Sequence, residues 1–113
     1  MKFIDHIAIL VEDLEVSQAW YEEYCGAEMV FEDYKYKRMK MNNTTLALID
    51  KEYYEHAHIG VLVNCVKEFP ENCEIAMHRD GTTGCYIRDP DDNIVEFIYY
   101  SPDMREKLNV DKI

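Results

Sequence analysis

Two histidines and a glutamate stand in this sequence where apolar residues would be expected. His6 lies inside DHIAILV (5–11), His58 lies inside AHIGVLV (57–63), and Glu96 interrupts the run NIVEFIYY (93–100). Side chains alternate along a strand, so Ile94, Glu96 and Ile98 share one face and Val95, Phe97 and Tyr99 the other; neither reads as a solvent face. A carboxylate placed there is costly unless a cation, a metal ion or hydrogen-bond donors meet it. Two imidazoles and one carboxylate, brought together, make a facial triad. Such a set suits divalent Fe, Mn, Ni or Zn and leaves about three coordination positions open, as in a working site rather than a closed structural one. Either histidine alone would fit a hydrogen-bonded core residue; it is the joint placement that points to a metal.

The elements that must position these residues come in two copies. DHIAILV and AHIGVLV share His, Ile, Leu and Val in register, and TTLALI (44–49) matches NIVEFI (93–98), which sets Ala47 opposite Glu96. In the first copy a strand is expected over 2–11. A helix from Leu14 to about Cys25 follows, N-capped by Asp13 and closed by Gly26, and then strands over 28–34, 36–42 and 44–50. In the second, strands are expected over 57–63, 74–79, 83–88 and 93–100. The segment 64–72 holds Pro70 and leaves room for only a turn or two of helix. The reading is an α+β fold of two tandem βαβββ modules in one domain, 1–50 and 56–100. A linker at 51–55 joins them, and a polar tail at 101–113 is expected to turn helical over Met104 and Leu108.

Composition excludes several classes of function. The formal charge of −11 gives no basic footprint for nucleic acid or anionic membrane, and no apolar run approaches the roughly 20 residues of a membrane span. The opening MKFIDHIAIL is wrong for a secretion signal, so a cytoplasmic protein is expected. The four cysteines have irregular spacing and no CxxC pair, and read as reduced, core-filling residues. His56 and His78 read as surface residues. Strand alternation nominates Tyr34, Tyr36 and Arg38 from the first module and Tyr86 and Arg88 from the second as walls of a substrate cavity.

DHIAILVEDL, a helix carrying Trp20-Tyr21 and ending at Gly26, HIGVLV, and the turn DPDDN followed by IVEF together resemble the vicinal oxygen chelate superfamily of glyoxalases, bleomycin-resistance proteins and extradiol dioxygenases. The resemblance covers the whole chain. It implies a glyoxalase-like sheet curled around a cavity, and it places His6, His58 and Glu96 at metal-ligand positions. The family's usual turn glycine is replaced by Asp92, which tolerates positive φ. Ala47 stands where glyoxalase I and related epimerases carry a fourth ligand, which as a carboxylate also helps to move the substrate proton. The pattern is closer to three-ligand members: extradiol dioxygenases, and fosfomycin-resistance thiol transferases, whose tails resemble residues 103–108 and would give Arg105 an anion-binding role. The resulting expectation is a homodimeric metalloenzyme acting on a small oxygen-chelating substrate, by dioxygenase-like or by thiol-transferase or lyase-like chemistry. The alternative is a metal-free protein that sequesters a drug or metabolite.

Overall fold

The order strand, helix, three strands expected of the first copy, and the four strands expected of the second, are found in the computed structural model, which describes residues 1–108. The described elements are β1 (Ile4–Val11), α1 (Leu14–Cys25), β2 (Glu28–Glu32), β3 (Tyr36–Lys40), β4 (Thr45–Asp50), β5 (His58–Leu62), β6 (Ala76–Met77), β7 (Thr83–Arg88), β8 (Ile94–Tyr99) and α2 (Pro102–Lys107). In the second copy a 3-10 turn, Val66–Glu68, takes the place of the helix. The chain divides into two compact units, one of His6–His58 and one of Met1–Asp5 with the chain from Ile59 onward. No described helix is long and apolar enough to cross a membrane.

In the His6–His58 unit the strands lie in the order β2-β3-β4-β1, with β1 and β4 parallel and the other pairs antiparallel. Helix α1 starts where Asp13 accepts a hydrogen bond from Val16 N and stops where Gly26 turns left-handed at φ 65°. Its Leu14 and Tyr21 pack on Val11, Ala27, Met39, Leu46 and Leu48, closing one face of the sheet. Lys37 is buried on β3, and its Nζ reaches Glu15 and Glu32 at 2.8 Å each and Gln18 at 2.7 Å. Burial alone would push this amine down, but hydrogen bonds to Glu15 and Glu32 hold it above the ordinary lysine value. The other face is built from Ala8, Tyr36, Ala47 and Ile49, with Phe31 and Tyr54 against them. β2 ends earlier than expected because Asp33 Oδ1 accepts from Lys35 N (2.8 Å) and Tyr36 N (3.0 Å), which folds 33–36 into a turn.

In the other unit the order is β5-β8-β7-β6, again with one parallel pair, β5 and β8. Val63, Phe69 and Cys85 form its core with Cys73, Phe97 and Tyr99, so the segment after the 3-10 turn does the covering that α1 does in the first unit. Here one expectation is corrected. Cys73 and Cys85 form a disulfide, their Cα atoms 5.9 Å apart, while Cys25 and Cys65 are free and exposed. Their spacing along the chain concealed a pair that the fold brings together between β7 and the loop before β6. At the N-terminal end Asp5 accepts from Tyr100 Oη at 2.6 Å, both groups being buried, and Phe3 O accepts from Leu62 N.

The turn before β8 is held by Asp89, whose Oδ1 accepts from Asp91 N (2.8 Å) and Asn93 N (2.9 Å) and whose Oδ2 accepts from Asn93 Nδ2 (2.9 Å). Asp92 takes φ 67°, in the left-handed region, as expected of its place in the turn. The short helix expected in the tail is α2, capped by Ser101; Met104 lies over Gly81, and Leu108 is buried.

Two outcomes follow from this architecture. Replacing both Cys73 and Cys85 by serine should lower stability by about 3 kcal/mol, the entropy of closing a loop of this size, as read by urea titration under oxidising conditions. Hydrogen bonds from Asn93 hold the Asp89 carboxyl below its ordinary value. A depressed folded pKa contributes stability that is present above the unfolded value and lost as pH falls through the folded one. An Asp89→Ala variant should therefore lose less stability than the parent between pH 5 and pH 3 (roughly the carboxylate range) in melts followed by circular dichroism.

Candidate metal centre

The two repeat-equivalent histidines both belong to the His6–His58 unit. His6, on β1, is 4% exposed, and its Nε2 lies 3.3 Å from Nε2 of His58 at the head of β5, with the rings edge to face. Nitrogens each bonded at about 2.0–2.1 Å to one ion, at an angle of about 90–110°, are about 2.8–3.4 Å apart. The observed separation thus fits two ligands of one cation as well as it fits a hydrogen bond. His56, expected at the surface, is half-buried with its ring 5.4 Å from that of His58.

Cross-strand partners share a face. Ala8 pairs with Ala47, and Ala47 with Arg38, so the face that carries His6 also carries Ala8, Ala47, Arg38 and Tyr36. Tyr36 and Arg38 are buried. Ala47 offers no ligand atom. Tyr34 lies in the turn before β3, exposed, its ring 5.7 Å from that of Tyr53 with Lys35 over both.

In the other unit the register is the same with different residues: Gly60 pairs with Glu96, and Glu96 with Tyr86. Glu96 is 2% exposed. His78, read from the sequence as a surface residue, is instead half-buried, with Nε2 2.5 Å from Glu96 Oε2. Its place follows from strand pairing: Ala76 pairs with Gly84, so two residues later His78 returns to the face that holds Gly84, Tyr86 and Glu96. The alternation of Ala76 and His78 was the available signal, and the adjacent Arg79-Asp80 masked it. Tyr86 is 42% exposed, with its ring 5.9 Å from that of His78. Arg88 is exposed and donates through Nη1 to Asp92 O. Arg105 lies on α2, half-buried.

Gly84 makes the contact between His78 and Glu96 possible. A Cβ at this position would meet His78 Nε2 at 2.7 Å, Glu96 Oε2 at 2.9 Å and Phe97 O at 2.9 Å. Gly84→Ala should therefore cost about 1–3 kcal/mol, the usual range for overpacking, as measured by chemical denaturation; a cost near zero would show that the pair can part freely.

A family model described as Glyoxalase/Bleomycin resistance protein/Dioxygenase superfamily matches residues 3–76. No curated protein matches the sequence. Solved structures do. Methylmalonyl-CoA epimerase from Mycobacterium tuberculosis is 14% identical, with 92% of this chain and 91% of that one covered at a TM-score of 0.71. A variant of methylmalonyl-CoA epimerase from Streptomyces coelicolor, in complex with 2-nitronate-propionyl-CoA, is 16% identical over 90% of this chain and 96% of that one, at 0.70. A superfamily member from Vibrio splendidus 12B01 is 11% identical over 88% and 100%, at 0.62. At these identities the likeness is one of fold, and the fold is glyoxalase-like.

Proposed function

The chain belongs to the glyoxalase, bleomycin resistance protein and dioxygenase superfamily, and from that premise we propose that it is a small metalloenzyme whose cation is held by His6, His58 and Glu96. The observation that carries the reading is the 3.3 Å approach of the two repeat-equivalent imidazole nitrogens, a spacing suited to one shared ion. When bound, a divalent cation would supply Lewis-acid polarisation of substrate oxygen atoms. The chain's own residues would do the rest. His6 and His58 coordinate as neutral imidazoles, so the charge of Glu96 is the ligand set's only offset to that of the ion. Arg38, buried on the face of His6, supplies a guanidinium suited to an anionic oxygen of the substrate. Tyr36 on the same face supplies a hydroxyl and an aromatic wall; Tyr86 offers the same beside Glu96, and Tyr34 and Arg88 complete the proposed lining nearer solvent.

Ala47 bears on the reaction. With no carboxylate or amide there, the residue best placed to shuttle a proton in an isomerisation is missing. Dioxygenation, or addition of a thiol or other nucleophile to an electrophilic carbon, therefore ranks ahead of epimerisation, although the similar solved structures include epimerases. The substrate class is a small molecule that presents two oxygens. A homodimer belongs to the same proposal, since β2 and β6 end their strand orders unpaired among the described residues and α1 exposes Val16, Trp20 and Tyr24. Cytoplasmic residence also belongs to it. The Cys73–Cys85 bond opposes that part, because cytosolic thiols are kept reduced; thiol counting on protein trapped in whole cells decides it.

The second reading, metal-free sequestration of a drug or metabolite, is favoured by one observation: His78 already gives Glu96 a partner without any ion. Glu96→Gln separates the two readings. The amide can still accept a hydrogen bond from His78, so the metal-free melting point should stay close to the parent's. At Mn²⁺ a hundredfold above its dissociation constant the parent should gain about 2.7 kcal/mol, while the variant gains almost nothing. Equal gains, or none in the parent, would remove the metal reading.

A further inference from the structure

The geometry points to His78 as the positioning residue of Glu96, the group that fixes how the carboxylate is presented to the cation. The inference rests on the metal reading above and adds to it a residue outside the ligand set. Its basis lies wholly within one unit. His78 Nε2 and Glu96 Oε2 are 2.5 Å apart, the carboxylate side chain 3% exposed and the imidazole 25%. The carboxylate is thus shut away from water that would otherwise solvate it, and the more exposed histidine lies against its Oε2.

The backbone that carries the imidazole is itself held in place. His78 N donates to Thr82 O at 2.7 Å and His78 O accepts from Gly81 N at 2.9 Å. Within the turn, Asp80 Oδ1 accepts from Thr82 N at 3.0 Å and from Thr82 Oγ1 at 2.7 Å. The turn is clamped at its far end by Thr82, which is buried. Gly84 leaves the space in which the two side chains meet, and the ring of Tyr86 stands beside His78.

A glutamate has three side-chain torsions, and ordering one on an ion costs rotamer freedom at the moment of binding. With Oε2 held by an imidazole on a hydrogen-bonded turn, part of that ordering is already done before the ion arrives. This is the general effect of partners behind a ligand, whose removal typically lowers metal affinity about 10–100-fold. The first unit has no counterpart to the arrangement, since Ala47 occupies the position of Glu96 there.

The test is a Co²⁺ titration, read by calorimetry and by visible absorption, on the full chain and on His78→Ala and His78→Gln. His78→Ala should weaken Co²⁺ binding about 10–100-fold. His78→Gln, whose amide N–H reaches a similar distance, should recover most of the loss and leave the cobalt spectrum of the parent unchanged. A His78→Ala variant that binds Co²⁺ like the parent overturns the inference while leaving the metal reading intact. So do equal losses in the two variants, or a shifted spectrum in His78→Gln, which would make His78 a ligand or a purely structural residue. Should His78→Ala fail to fold, the imidazole ¹⁵N shifts of His78 in the metal-free parent and in Glu96→Gln replace it: a change on loss of the carboxylate charge is expected, and identical shifts overturn the proposal. A parent that takes up no Co²⁺ removes the metal reading, and the inference falls with it.

Discussion

A carboxylate buried in an apolar strand is the constraint around which the second unit is organised. Removing Glu96 from water without compensation would cost more than a single core side chain returns, so its surroundings have to make room for a partner. They do so by subtraction as much as by addition. Its register partner on β5 is Gly60, and Gly84, where a Cβ would meet its Oε2 at 2.9 Å, has no side chain to crowd it. Into that space comes His78 from the turn after β6. β6 is kept to two residues by the turn that begins at His78, a short edge that reads as a defect until the buried charge is considered.

The first unit uses the same register for a different end. Ala8, Ala47 and Arg38 stand in line as Gly60, Glu96 and Tyr86 do in the second. Where the second unit carries a carboxylate, the first carries a methyl group and a buried guanidinium. Equivalent backbones thus carry a histidine in each copy, His6 and His58, and the two differ where Ala47 stands in one and Glu96 in the other.

Each unit also needs a dry side. In the first it is α1, whose apolar stripe covers the sheet and whose Glu15, with Glu32 of β2, neutralises the buried Lys37. In the second, Pro70 and the short crossover preclude a helix. Phe69 and the Cys73–Cys85 bond close that face instead, so a covalent link does there what a helix does in the first unit.

The sequence alone determined the order of elements, the bounds of α1 and the equivalence of the two copies, because these rest on local signals. A capping aspartate, a left-handed glycine and strict alternation act over a few residues and leave little for distant contacts to alter. It also marked His6, His58 and Glu96 as residues in need of an explanation, since a polar group in an apolar run is visible without any fold. It did not disclose the Cys73–Cys85 bond or the contact of His78 with Glu96. Both join residues far enough apart in the chain that only strand pairing brings them together; cysteine spacing carried no trace of the first, and the alternation of Ala76 and His78, the one signal of the second, was masked by Arg79-Asp80. Tertiary structure decided them, because what a side chain meets across a sheet is set by register, and register depends on the whole pattern of burial rather than on any one segment.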